Sequence, residues 1–398
     1  MGRRMSDLPI LRLLPGRDRR AKAGHPWIFS NEVAMTPAAR ALPPGGPVRV
    51  EGDDGFRHGV HLFNPHSLIA ARRLSRDPGA VIDDAFWAAR IAEALALRQR
   101  LFPTPHYRLV HAEADGLPGL ILDRYGDLVA LQANTAGMEL ATPAILRALD
   151  NLIAPRAVVA RNEASVRALE GLPEVTALLR GTEATGTVEE GGVVFGIDPL
   201  GGQKTGWFFD QRENRARVAG LARGETVLDA FCHTGGFGLQ AAAAGAARVT
   251  LLDRSEHALA TAMETARRNG LEDRVEAVRG EAMEALERMG REGQRFGVVV
   301  VDPPAFAKSR KDIAAAVRAY SRLARLAAGL VAPGGILFIA SCSHHVPAGE
   351  FADTVIAGLQ RARRDARILA MTGAGPDHPV HPMLPESVYL KALTLQLS

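Results

Sequence analysis

Residues 226–238 read TVLDAFCHTGGFG. Apolar Val227 and Leu228 lead to Asp229, a glycine-containing turn follows, and the alanine-rich run 239–244 opens what reads as a helix. Strand, tight turn and helix start form a unit in which backbone N–H groups can approach a ligand closely, because glycine has no Cβ and accepts unusual dihedrals. The spacing is not the dinucleotide fingerprint G-x-G-x-x-G, and the turn alone would fit many nucleotide-binding folds. Three later apolar runs narrow the reading. The run VTLLD ends in Asp253 about 20 residues on, where an acid can hold a ribose hydroxyl pair. VVVVDPPAF then carries Asp302, and GILFIASCS carries Cys342. Strand-end acids recurring in this order favour a cofactor-binding α/β domain over a plain one.

The succession resembles the class I S-adenosylmethionine-dependent methyltransferases. That resemblance implies S-adenosyl-L-methionine as cofactor and no metal. The glycine loop, with Asp229, Phe231, Thr234 and Gly235, would hold its methionine part, Asp253 its ribose, and Glu281, where the family usually has Asp, its adenine edge, with Arg254 a further cofactor contact. Asp302 would border the same site. Before the first strand stands GGQKTGWFFDQRENR, residues 201–215. In the family this segment closes over the cofactor, with Lys204 and Thr205 meeting the cofactor carboxylate and Arg212 beside them. Asp210 is expected to cap the helix that carries Arg212 and Asn214.

Composition sets wider bounds. The chain has 398 residues, room for two or three domains, and its 47% hydrophobic and 23% charged residues are those of an ordinary soluble globular protein. No apolar run approaches the roughly 18 residues of a membrane span, and the N-terminal stretch lacks a sustained apolar segment and a cleavage site, so a cytoplasmic protein without membrane contact is expected. Two cysteines argue against a disulfide framework, and no Cys/His spacing suggests zinc. Net charge is only +4, but basic residues cluster: Arg3, Arg4, Arg12, Arg17, Arg19, Arg20 and Lys22 near the N-terminus, followed by Arg72, Arg73 and Arg76, and Arg361, Arg363, Arg364 and Arg367 near the other end. Such clusters suit a polyanion such as RNA. The 361–367 cluster reads as a solvated helix end, and Arg17, Arg19 and Arg20 read as phosphate contacts.

Taken in order, residues 8–76 look like a small β domain, with strands at 48–50, 56–63 and 67–74 between Pro, Gly and Asn turn signals. GHPWIFSNEV (24–33) and GVHLFNPHS (59–67) resemble the PUA domain, a small RNA-binding β-barrel. Trp27 reads as a core aromatic. Residues 83–101 have helical apolar spacing behind an Asp-rich start. A strand at 107–111, a hairpin over 116–134 turning at Arg124-Tyr125-Gly126-Asp127, a helix at 142–152 and a strand at 157–161 come next. The stretch 170–192 reads as a loop or short hairpin. ADGLPGLILDRYGD (114–127) resembles bacterial ribosomal RNA methyltransferases that carry a PUA domain. From 226, strands at 226–229, 248–252, 275–278, 298–302, 336–340, 366–370 and 388–397 alternate with helices, and Pro333-Gly334-Gly335 reads as a helix stop.

The expected fold is therefore α/β. A Rossmann-like methyltransferase domain with a mainly parallel seven-stranded sheet (199–398) comes after a PUA-like domain (1–79) and an α+β central domain (80–198).

The DPPAF stretch, 302–306, is shared by enzymes that methylate bases. Its prolines, Pro303 among them, stiffen the backbone, Phe306 can stack on an extruded base, and Asp302 can accept a hydrogen bond from it. These residues do not select the atom methylated, but Cys342 does. Carbon 5 of a pyrimidine is a poor nucleophile until a thiolate adds at carbon 6. SCS resembles the motif of RNA 5-methylcytosine methyltransferases, whose second cysteine, after the prolines, is here Ala305. The one-cysteine arrangement resembles the RlmI-like branch, which implies methylation of a cytosine in 23S ribosomal RNA, with Cys342 as nucleophile and Asp302 holding the base. Cys232 reads as a packing residue, and neither His344 nor His345 is assigned a role. Two alternatives stay open: a guanine ring-nitrogen methyltransferase that needs no thiol, and a non-catalytic RNA-binding assembly factor. The sequence also leaves the oligomeric state open, a homodimer included.

Overall fold

The computed structural model describes residues 8–202, 206–307 and 309–398. Two compact units divide the chain. The first runs to Val188 and takes in Ile197–Trp207 and Pro376–Pro385; the second holds Glu189–Gly196, Phe208–Gly375 and Glu386–Ser398.

The first unit contains two five-stranded sheets. One orders Ile10–Arg12, Gly46–Glu51, Arg57–Phe63, Ala71–Ser75 and Trp27–Ile28 side by side. Burial alternates along Ile10–Arg12 and Gly46–Glu51, whereas Arg57–Phe63 is buried from His58 on, and Leu11, Ile28, Val48, Val50 and Phe63 are in the core. Gly59 has φ +90°, and a Cβ there would lie 2.0 Å from the Ser75 carbonyl oxygen, so the pairing requires glycine. The other sheet runs from His106–His111 through Leu120–Tyr125, Leu128–Ala133 and Ala157–Asn162 to Val175–Arg180. Its hairpin turns on Gly126-Asp127 alone, because Arg124 and Tyr125 stay in the ladder opposite Val129 and Leu128. Two helices, Asp84–Leu101 and Ala136–Ile153, supply Ile91, Leu95, Ile145 and Leu149 to its core. Asp83 caps the first, its side chain accepting from Phe86 N–H at 2.9 Å. The second starts earlier than the sequence suggests: Thr135 caps it and Pro143 sits inside it. The stretch 170–192 is more ordered than expected. Val175–Arg180 is an antiparallel edge strand, hidden to pattern reading because none of its residues is fully buried.

In the second unit, elements are numbered from its own start. They are α1 (Arg212–Leu221), β1 (Thr226–Ala230), α2 (Gly236–Ala243), β2 (Arg248–Asp253), α3 (Glu256–Arg268), β3 (Val275–Arg279), α4 (Ala282–Arg291), β4 (Phe296–Val301), α5 (Ile313–Leu330), β5 (Val331–Ser341), α6 (Ala348–Arg361), β6 (Ala366–Thr372) and β7 (Lys391–Leu397). The seven strands form one sheet in the order β3-β2-β1-β4-β5-β7-β6. The first five strands run parallel, and β7 runs antiparallel between β5 and β6. Fully buried runs such as Val298–Val301 mark strands covered on both faces. Order reverses at β1 and β4, and ligands in such sheets bind outside the carboxyl ends there. The helix before β5 ends at Leu330, ahead of Pro333-Gly334-Gly335. These residues lie instead in an irregular start of β5, where the register against β4 shifts and Gly334 has φ +80°. The 361–367 arginines are partly structural: Arg364 donates to the carbonyls of Ala328 and Val331 at 2.9 and 2.7 Å, closing the last turn of α5.

Candidate active site

The carboxyl ends of β1, β2, β4 and β5 bring together Asp229, Asp253, Asp302 and Cys342. The loop after β1 is under backbone constraint. Phe231 and His233 both take positive φ, +62° and +49°, on either side of Cys232, and Gly235 comes next at +80°. Non-glycine residues in that region carry strain and cluster at ligand sites. Asp253 holds the loop in shape: one carboxylate oxygen accepts from His233 N–H at 2.9 Å and the other from Ser255 N–H at 2.8 Å. Each oxygen keeps lone-pair capacity. Thr234 lies beside His233, Arg254 is exposed, and Glu281 is an exposed residue at the start of α4.

Asp229 is the unusual group. It is 1% exposed, and one oxygen accepts from Gly238 N–H at 2.8 Å while the other finds no partner among the described residues. Burial, added to by the charges of Asp302 and Asp253, pushes its carboxyl up to about 7. An orphaned buried carboxylate oxygen is costly, and the deficit is removed by a cation. Gly238 leaves no room for a side chain: a Cβ there would come within 2.4 Å of Leu251. The chemistry of this pocket therefore fits the ammonium end of an amino-acid-like ligand, with Asp253 free to accept from hydroxyls.

Cys232 is buried, and burial pushes its thiol well up, so it is a packing residue of the loop. Cys342 differs. In the SCS stretch, Ser341 and Ser343 are wholly buried and turn inward to the Tyr320 hydroxyl, each at 2.9 Å, while Cys342 between them is partly exposed. Ser343 also accepts from Ala307 N–H at 3.2 Å, tying the loop after β5 to the loop after β4. The Cys342 sulfur consequently sits 4.0 Å from the Pro303 carbonyl oxygen. Phe306 is half-buried with its ring 4.7 Å from that of Tyr320, so one face packs on the core.

Asp302 accepts from the Gln211 side-chain N–H at 2.9 Å. Gln211 in turn accepts from Asn214, whose carbonyl oxygen accepts from Thr372, both at 2.7 Å. The expected cap by Asp210 is not made. Gln211 stands at the N-cap, its side chain capping no backbone N–H of the helix, and Asp210 accepts instead from the Tyr389 hydroxyl at 2.6 Å. The short phenol–carboxylate bond occupies one oxygen of Asp210, and the other, buried, finds no partner among the described residues. Arg212 reaches Glu190 at 3.6 Å and lies over the Phe209 ring. Burial would raise the Glu190 carboxyl, but Arg215, Arg212 and Gln240 outweigh it and hold it low. Lys204 and Thr205 lie outside the described residues.

Of the basic residues, Arg17 and Arg19 are exposed. Arg20 is partly committed, pairing with Glu32 at 2.9 Å and lying 4.3 Å over the Phe29 ring. Trp27 is half-buried and donates to Glu113 at 2.7 Å.

Sequence reasoning missed Gln211, Glu190 and Lys391. Lys391 opens the apolar strand KALTLQL and is nonetheless buried. A lysine at a core-facing register of such a strand is the signal that could have found it.

A family model described as an S-adenosylmethionine-dependent methyltransferase matches residues 128–395, and one described as a PUA-like domain matches 11–76. Curated relatives include the ribosomal RNA large subunit methyltransferase I of Shewanella denitrificans, 35% identical over 97% of this chain and 99% of that protein. That of Aeromonas hydrophila is 36% identical over 96% and 98%. Among solved structures, a Streptococcus mutans protein described as a SAM-dependent methyltransferase superposes with TM-score 0.81 at 19% identity, over 98% of this chain and all (100%) of that one. A methyltransferase complexed with SAH gives TM-score 0.83 at 19% identity over the same shares. At these identities the structural likeness is one of fold. Among the described residues no helix is long and apolar enough to cross a membrane.

Proposed function

This chain belongs to the family of S-adenosylmethionine-dependent methyltransferases joined to a PUA-like domain, and from that premise we propose that it methylates carbon 5 of a cytosine in 23S ribosomal RNA. The relatives' name, ribosomal RNA large subunit methyltransferase, supports the substrate. The observation that carries the choice of atom is Cys342, a partly exposed thiol at the end of β5 against the Asp302-Pro303 loop at the end of β4. The cofactor supplies an electrophilic methyl group. Asp229 would hold its ammonium, Asp253 its ribose and Glu281 its adenine, with Phe231, Thr234, Gly235, Arg254 and Arg212 as further contacts. Cys342 adds to carbon 6 of the base, which makes carbon 5 nucleophilic. Asp302, oriented by Gln211, hydrogen-bonds the base, and Pro303 and Phe306 border it. After methylation, loss of the carbon-5 proton and then of the thiolate restores the ring. In this reading residues 1–79 and 80–198 deliver RNA to the catalytic part, 199–398, in the cytoplasm. Mass mapping of ribosomal RNA from cells with and without the gene tests it. A single 5-methylcytosine lost with the gene is expected; loss of a methylguanine instead overturns the choice of atom.

Cofactor binding should depend on pH. The raised Asp229 carboxyl is protonated below about 7 in the free protein, and only its ionised form attracts an ammonium. Affinity for S-adenosylhomocysteine should therefore rise with pH through that range, falling up to about tenfold per unit on the acid side. Calorimetry at pH 6 in buffers of different ionisation heat should detect proton release on binding; none would remove Asp229 from the site.

RNA binding should depend on salt. Neutralising Arg17 and Arg19 should each reduce the logarithmic salt slope by about 0.7–0.9, with cofactor affinity unchanged. A filter-binding series in which the slope stays constant would make these residues a solvated face.

A further inference from the structure

We propose that Lys391 is the positioning cation that holds Cys342 as a thiolate, reaching it from the neighbouring antiparallel strand. The inference rests on Cys342 being the nucleophile. Lys391 pairs in register with Ser341, one residue before Cys342. Its Nζ donates to the carbonyl of Ser343, one residue after Cys342, and to that of Tyr389 at 3.1 Å. The backbone of Lys391 thus lies opposite the residue before the cysteine, and its ammonium against the carbonyl of the residue after it. The residue is 8% exposed and makes no ion pair with a carboxylate among the described residues. Two carbonyl dipoles only partly offset the loss of water by an ammonium, and a buried cation without a counter-charge tends to shed its proton.

Burial accordingly brings Lys391 down to about 8, and Cys342 is the one side chain that acts to raise it again. The same interaction read from the other end stabilises the thiolate. Among the described residues, three other titratable groups near the cysteine do not supply that charge. Asp302, at the end of β4, opposes an anion when ionised. Tyr320, on α5, is neutral, its hydroxyl pushed up by burial and by Cys342 itself. His344 is pushed down by burial and by Lys391, and its ring stacks against Tyr389 at 5.3 Å. His345 follows it in the chain, and Tyr389 lies against His344. Among the described residues Lys391 is the one whose placement answers the chemical need for a nucleophile ionised at neutral pH, the thiol proton leaving to bulk water.

The test needs neither RNA nor methyl transfer. The rate at which iodoacetamide alkylates Cys342 in the full chain, followed by mass spectrometry of the Cys342 peptide, gives the thiol's titration midpoint. Lys391→Met should raise that midpoint by about one unit and slow alkylation at pH 7 about tenfold, and Lys391→Arg should keep it low. A purely structural lysine would change the melting temperature and leave the midpoint in place, and an unchanged midpoint in Lys391→Met overturns the proposal. Should that variant fail to fold, the reciprocal measurement decides. In Cys342→Ala the 13Cε resonance of Lys391 should titrate at lower pH than in the wild type, and an unmoved titration overturns the proposal equally. If Cys342→Ala methylates RNA at the normal rate, the nucleophile assignment fails separately, whereas these midpoints still report whether the ion pair exists.

Discussion

Cys342→Ala is expected to lower methyl transfer by about four orders of magnitude or more while leaving S-adenosylhomocysteine affinity unchanged. Without a thiolate at carbon 6, carbon 5 of cytosine has no route to the electron density that methylation requires. The side chain is partly exposed and its neighbours Ser341 and Ser343 anchor the backbone through Tyr320, so truncation should not disturb the fold. Cys342→Ser should be nearly as inactive, because a serine hydroxyl is far less ionised at neutral pH than a thiol. Cys232→Ser should keep most activity, since that thiol is buried in the loop after β1. Single-turnover assays with saturating cofactor separate the three. Normal turnover by Cys342→Ala would favour ring-nitrogen methylation of a guanine.

A large effect on stability is expected in the first unit from Asp115→Ala. Arg98 is wholly buried and its guanidinium pairs with both oxygens of Asp115 at 2.6 and 2.8 Å. It also donates to the carbonyls of Arg108 at 2.9 Å and Asp377 at 3.0 Å. Asp377 in turn accepts from Arg108 N–H at 3.0 Å, which ties the segment Pro376–Pro385 into the unit that contains it. Removing the Asp115 carboxylate strands a buried cation and should cost about 3–5 kcal/mol. Replacing both members, Arg98→Met with Asp115→Leu, should cost much less, because no charge is left uncompensated. Urea unfolding of the full chain distinguishes the two. A loss below about 1 kcal/mol for Asp115→Ala would mean water reaches the site.

The two kinds of information in this chain were legible to different degrees. Local signals sufficed for the strand ends that carry Asp229, Asp253, Asp302 and Cys342, since each stands where an apolar run stops. The Asp83 cap was equally local. Contacts set by register between distant segments were not legible. Lys391 meets the backbone around Cys342 only because β7 runs antiparallel to β5, and Gln211 reaches Asp302 across 91 positions of sequence. Asp210 looked like a helix cap because the residue type is right for one, but a distant tyrosine competes for it. The strand Val175–Arg180 has no buried face to impose an alternating pattern, so its pairing to Ala157–Asn162 leaves no trace in composition.

The central claim is a covalent bond between Cys342 and carbon 6 of a cytosine, and trapping that bond tests it most directly. Substrate RNA carrying 5-fluorocytosine cannot lose a proton from carbon 5 after methylation, so the adduct should persist. Wild-type protein with S-adenosylmethionine should give a complex that survives denaturing electrophoresis and maps by mass spectrometry to the peptide containing Cys342. Cys232→Ser should form it and Cys342→Ser should not. Turnover on the unmodified RNA with no trapped complex on the fluorinated one, or a complex mapping to another residue, would contradict the account.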